Sequence, residues 1–144
     1  MNNTEKAAAC FEQGFNCAQA VFTPYGEAYG LEPETALKLA AGFGAGIGSM
    51  GETCGAVSGA VMAIGLKYGR SKIGDLAAKE RTNELVQEFA RRFKARNGSL
   101  VCKELLGLDL GTAEGRKAAK ERNTHGTRCA KFVKDAAGIL GEIL

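Results

Sequence analysis

The residues of this sequence with the most chemistry to offer are five cysteines, Cys10, Cys17, Cys54, Cys102 and Cys129. Thiolates are nucleophiles, redox groups and soft metal ligands. No two of the five form a Cys-x-x-Cys pair, so the thioredoxin-type and zinc-ribbon signatures are absent. Local context separates four of them from the fifth. Cys17 follows Asn16, Cys54 follows Thr53, Cys102 lies three residues after Ser99, and Cys129 lies two after Thr127. Asn, Thr and Ser are favoured helix N-caps because their side chains satisfy free backbone N–H groups. The pattern therefore predicts Cys17, Cys54, Cys102 and Cys129 in the first turns of four helices. A helix start carries partial positive charge and unpaired donors, which favour an anion and lower a thiol's pKa. Four such starts converging would form a pocket for a thiolate cluster, with N–H donors to sulfur tuning its potential. The competing reading of any one cysteine is a small buried hydrophobe; the context shared by four argues against it. Cys10 lies among alanines inside a helix, about 10 Å along the axis from Cys17 if that helix continues, beyond disulfide reach. It reads as packing, with an auxiliary thiol role as the alternative.

Three other features invite a chemical reading. His125, the only histidine, precedes Cys129 by four residues, a spacing open to ligation or a Cys–His relay if the helix begins early. Gly126 and the surrounding turn-formers favour a loop instead. Glu52, two residues before Cys54, reads either as a proton carrier or, preferably, as an ordinary acid near a helix start. Gly46, Gly48 and Gly51 match G-x-G-x-x-G, but a helix precedes them and no parallel-sheet pattern follows, so dinucleotide binding is discounted. Gly44, Gly46 and Gly48 instead let the backbone turn tightly beside the cysteine site.

The elements that must position these groups all read as helices. Ala, Leu, Glu and Lys dominate, and no stretch of strand length alternates apolar with polar residues. Helices are predicted over 4–13, from Asn16 onward with a kink or break near Pro24, over 33–41 with Pro33 in the first turn, and over 53–68. Further helices cover 74–97, 100–106, a segment after Thr112, and 127–144. Residues 42–51 form a glycine-rich loop. Leu85, Val86, Phe89 and Phe93 share one face of the longest helix, and Phe132, Val133, Ala136, Leu140 and Ile143 face inward from the last. Between them, Gly55, Ala56, Ser58, Gly59, Ala60 and Ala63 make a helix of very small side chains, suited to the centre. The expected fold is an all-α, single-domain bundle of about six to eight helices around this Gly/Ala helix.

Composition bounds the partners. A chain of 144 residues buries about 70% of its unfolded surface and needs no disulfide or metal for a core. With 45% apolar and 24% charged residues it is an ordinary globular chain, and a net charge of +3 is too small to argue for nucleic acid. Arg91, Arg92, Lys94 and Arg96 complement a helix C-terminus before Asn97-Gly98. Residues 1–9 carry no signal-peptide pattern, and the apolar runs 39–51 and 53–66 are too short for a membrane span. The expected compartment is the cytoplasm, where thiols stay reduced and clustered cysteines serve metal or redox chemistry.

The segments Asn-Cys-Ala-Gln-Ala-Val-Phe (16–22), Gly-Glu-Thr-Cys-Gly-Ala-Val-Ser-Gly-Ala (51–60) and Val-Cys-Lys-Glu-Leu-Leu-Gly (101–107), with the Cys129 helix, resemble the C_GCAxxG_C_C family of redox proteins. The resemblance extends from about Ala7 to Leu144, and Cys-Gly-Ala-x-x-Gly at 54–59 is its most specific part. It implies a small bacterial or archaeal redox protein, often encoded near transporter genes, whose redox cysteines are Cys17, Cys54, Cys102 and Cys129. A redox partner protein, and association with a transporter system, follow as expectations. The chain is also similar to the cysteine-bearing region of split-Soret cytochromes, which implies an iron–sulfur cluster; no Cys-x-x-Cys-His haem site is present. Four cysteines are the usual ligand complement of such a cluster. The alternatives are metal-free thiol–disulfide chemistry, and a zinc-binding or metal-trafficking helical module.

Overall fold

Asparagine side chains start the first two helices. In the computed structural model, which describes residues 1–144, α1 (Asn3–Glu12) begins where the Asn2 side chain accepts the Glu5 N–H at 2.8 Å. α2 (Cys17–Ala28) begins at a reciprocal capping box: Asn16 accepts the Gln19 N–H, and the Gln19 side chain accepts the Asn16 N–H. α3 (Pro33–Ala40) has proline at its first position and passes into a 3-10 turn, Ala41–Phe43. α4 (Gly55–Tyr68) is followed by the long α5 (Leu76–Asn97), which Asp75 caps and Gly98 ends in the left-handed conformation. The short α6 (Cys102–Leu106) and α7 (Ala113–Glu121), capped by Thr112, precede a π-helical turn, His125–Cys129, that runs directly into α8 (Ala130–Ile143). The fold is all-α with eight α-helices, and the only extended pairing is an isolated Thr53–Val101 antiparallel bridge.

The small-residue helix lies at the centre, as its composition predicts. α4 packs on α2, α5 and α8, burying Ala56, Val57, Gly59, Ala60, Ala63 and Ile64. A Cβ added at Gly59 would stand 2.8 Å from the Ala18 carbonyl oxygen, and one at Gly55 3.1 Å from the Ala18 N–H nitrogen. Only glycine lets the two backbones come this close. On the far side, Phe89 and Phe93 of α5 are fully buried, and Phe93 meets Phe132 of α8 with ring centroids 6.1 Å apart. Arg92 and Arg96 both bind Glu142 at the end of α8, so these members of the basic cluster, read as a solvated helix end, also fasten α5 to α8.

Two local expectations are corrected. The break expected near Pro24 is absent: α2 runs continuously through it, and its neighbours Val21, Phe22 and Tyr25 are buried, so packing holds the helix despite the missing donor. His125 is helical, in the π turn, where its neighbours' types predict a loop.

Candidate functional site

Cys17 is the first residue of α2, placed by the Asn16 cap. The Asn16 side chain also donates to the Ala41 carbonyl at 3.0 Å, and the Cβ of any larger residue at Gly44 would stand 2.5 Å from its amide. Asn16→Ala is expected to cost about 1 kcal/mol, the usual value of a lost N-cap, read as a lower Tm.

Cys54 is itself the N-cap of α4, and Cys102 is the first residue of α6. They are held together by backbone pairing. The Cys54 N–H donates to the Leu100 carbonyl at 2.8 Å, the Cys102 N–H to the Glu52 carbonyl at 2.6 Å, and the Lys103 N–H to the Gly51 carbonyl at 3.1 Å. Thr53 thus serves the bridge and does not cap α4. Ser99 accepts the Val101 N–H at 3.0 Å and lies two residues before Val101, the N-cap position of α6.

Cys129 does not stand at a helix start, which corrects the reading of four helix N-termini. The chain is already helical before it: the Ala130 N–H is bonded to the His125 carbonyl, and the Thr127 hydroxyl donates to the Asn123 carbonyl at 2.9 Å. The preceding turn satisfies the amides that a free helix end would leave open. Cys129 lines the same cavity from the last position of the π turn.

The four sulfurs share one apolar cavity of about 380 Å³ whose wall includes Cys17, Cys54, Cys102 and Cys129 together with Leu105, Leu106, Leu110 and Phe132. Polar residues in the wall are Asn16, Lys120, Asn123, Thr124 and His125. A left-handed run closes another side: Ala45, Gly46, Ile47, Gly48 and Ser49 all have positive φ, and Ala45 and Gly46 face the cavity. Three of these five carry side chains, so the turn costs roughly 1–2 kcal/mol per non-glycine residue. Hydrogen bonds from Gly48, Gly51 and Glu52 back across the loop hold it. At Gly46 (φ +74°) a Cβ would lie 2.5 Å from the Glu52 amide nitrogen, so this position requires glycine twice over.

Within the cavity the backbone bridge holds Cys54 beside Cys102, and the Cys17 and Cys129 thiols are near enough to shift each other's acidity. That proximity lowers the Cys129 pKa, helped by the positive Arg128 beside it, and raises that of Cys17. Burial acts on the other two. It pushes Cys54 up to about 11, although the amides of Ala56 and Val57 favour its thiolate, and Cys102 up to about 12. The expectation of four acidic thiols is therefore corrected. The Cys129 neighbour and then burial raise Cys17, and burial raises Cys54 and Cys102, so the helix-start effect is outweighed at three of them. In reduced, metal-free protein at about pH 8, iodoacetamide should label Cys129 before the other cavity cysteines, as read by peptide mass spectrometry. Equal labelling of all four would contradict this order of acidity.

The remaining candidates lie apart. Cys10 is half-buried, points its thiol toward the Gln19 carbonyl at 4.0 Å, and does not line the cavity. Glu52 is absent from the cavity wall as well; its carboxylate faces Lys103 at 3.4 Å, and it serves the site through its backbone. His125 does line the cavity, stacked on Phe11 with centroids 4.1 Å apart, and burial lowers its pKa. Lys120, Asn123 and Arg128 join the site without forewarning from the sequence; of these only Arg128, adjacent to a cysteine, carries a readable signal. No three Cys, His, Asp or Glu side chains are arranged about one point as a single metal ion requires.

A family model described as "Putative redox-active protein (C_GCAxxG_C_C)" matches residues 15–143. Neither a curated protein nor a solved structure matches the chain.

Proposed function

This chain belongs to the C_GCAxxG_C_C family, and from that premise we propose that Cys17, Cys54, Cys102 and Cys129 hold an iron–sulfur cluster, making the protein an electron carrier or redox sensor. The observation that carries this reading is that all four cysteines wall a single apolar cavity. A closed zinc site needs its sulfurs about 2.3 Å from one ion. An iron–sulfur cluster would take four cysteine thiolates, the number that Cys17, Cys54, Cys102 and Cys129 would supply.

When bound, the cluster supplies one-electron exchange. The chain's own residues do the rest. The four sulfurs ligate as thiolates, and the raised pKa values of Cys17, Cys54 and Cys102 mean that loading releases protons. The amides of Ala56 and Val57, at the start of α4, favour the Cys54 thiolate. Arg128 offsets negative charge near Cys129, and Leu105, Leu106, Leu110 and Phe132 keep water away. Electrons pass to and from a redox partner protein. The test is reconstitution with ferrous iron and sulfide without oxygen: charge-transfer absorption with stoichiometric iron and sulfide supports the cluster, and their absence removes it.

Cys17 and Cys129, which wall the same cavity and shift each other's acidity in opposite directions, favour a second reading, thiol–disulfide exchange. The Cys129 thiolate would attack a partner disulfide and expel one thiolate. The Cys17 sulfur, giving up its proton, would then attack Cys129 and expel the second. The pair is oxidised by two electrons and the partner disulfide is reduced to two thiols. Mild oxidant followed by alkylation should then show reversible loss of two hydrogens and of both labels. No such loss would exclude this reading.

A further inference from the structure

The end of the molecule opposite Cys54 has a composition unlike the rest. Residues 66–81 carry Lys67, Arg70, Lys72, Lys79 and Arg81 against Asp75 and Glu80, a net +3 that equals the net charge of the whole chain. The remainder is electrically balanced. None of these five cations is ion-paired with a carboxylate side chain, whereas Arg91, Arg92, Arg96, Lys103 and Lys131 all are. Among them stand three exposed large apolar side chains. Ile73, at the tip of the turn between α4 and α5, is 87% exposed, more than any other large hydrophobic residue; Leu76 is 59% and Leu66 39% exposed. The tip is held in place, since Arg70 donates to the Ile73 carbonyl at 2.7 Å and Arg81 stacks on Tyr68 at 4.4 Å.

We infer that this tip is a docking site for an anionic lipid surface, with Ile73 and Leu76 entering the headgroup layer between Arg70, Lys72 and Lys79. An apolar apex flanked by cations that have no carboxylate side chain as partner gains from both burial and charge at such a surface. An acidic redox partner is the poorer occupant. α4 begins beside Cys54 and has 14 residues, so its far end lies about 20 Å from that sulfur, a long way from any group that exchanges electrons. No helix is long and apolar enough to cross a membrane, so the contact is peripheral.

The full chain is sedimented with phosphatidylcholine vesicles and with vesicles that also contain phosphatidylserine. The wild type should pellet with the second kind only and be released by high salt. Ile73→Asp and Lys72→Glu should each lower the bound fraction roughly fivefold or more, with an unchanged Tm because both sites are exposed. No binding to phosphatidylserine vesicles at low salt overturns the inference. So does wild-type binding by Ile73→Asp, which would leave a purely electrostatic contact, and so does retention on an acidic polypeptide matrix without binding to vesicles.

Discussion

Replacing Cys54 by alanine is expected to abolish cluster assembly. After oxygen-free reconstitution the variant should hold less than about a tenth of the wild-type iron and sulfide and show no charge-transfer absorption. Its helical circular dichroism should persist. Cys54 caps α4 without a side-chain hydrogen bond, so removing its sulfur costs only about 1 kcal/mol. Cys10→Ala provides the contrast and should assemble a full complement, because Cys10 lies outside the cavity. A Cys54→Ala protein that binds iron and sulfide like the wild type would show that the cysteines act elsewhere. A loss of stability alone, in a chain whose wild type never binds iron, would reduce Cys54 to packing.

The second large effect concerns glycines in one helix. A Gly→Ala change in an open helix interior stabilises by about 1 kcal/mol, since alanine loses less backbone entropy. A Cβ at Gly65 would meet nothing within 4 Å, so Gly65→Ala should raise Tm by a few degrees. Gly59 lies in the same helix with the opposite surroundings. Its Cβ would meet the Ala18 carbonyl oxygen at 2.8 Å and the Val21 Cβ at 3.2 Å, and the obstacle is backbone that cannot swing aside. Gly59→Val should destabilise by about 3 kcal/mol, and by pushing α2 from α4 it should also separate Cys17 from Cys54 and weaken cluster assembly. A higher Tm for Gly59→Val would contradict the close packing on which the site depends. This contact gives the Cys-Gly-Ala-x-x-Gly motif its physical meaning: the cysteine supplies sulfur, the glycines admit the backbone of α2, and Ala56 is buried beside them.

Much of this arrangement is legible in the residues. The Asn16 and Thr112 caps, the Gly98 stop, the small-residue core helix and the four cysteines are local signals, and each acts where it stands. What cannot be read there depends on distant parts of the chain. The Thr53–Val101 bridge joins segments remote in sequence and makes Thr53 a pairing residue where its type predicts a cap. Pro24 sits inside α2 because burial on both sides outweighs its local cost. The helix around Cys129 starts earlier than Thr127 because the π turn absorbs Gly126. Ala45, Ile47 and Ser49 adopt left-handed conformations that their types disfavour, held by hydrogen bonds across the loop. Thiol acidity departs from its local signal for a related reason. A helix start is a local feature, but the desolvation that overcomes it at Cys54 and Cys102 comes from the whole fold.

Crystals grown without oxygen from reconstituted protein, measured at the iron absorption edge, test the central claim most directly. The account predicts anomalous iron density inside the cavity, within bonding distance of the sulfurs of Cys17, Cys54, Cys102 and Cys129. An iron-free cavity, or iron bound only at other side chains, would contradict it.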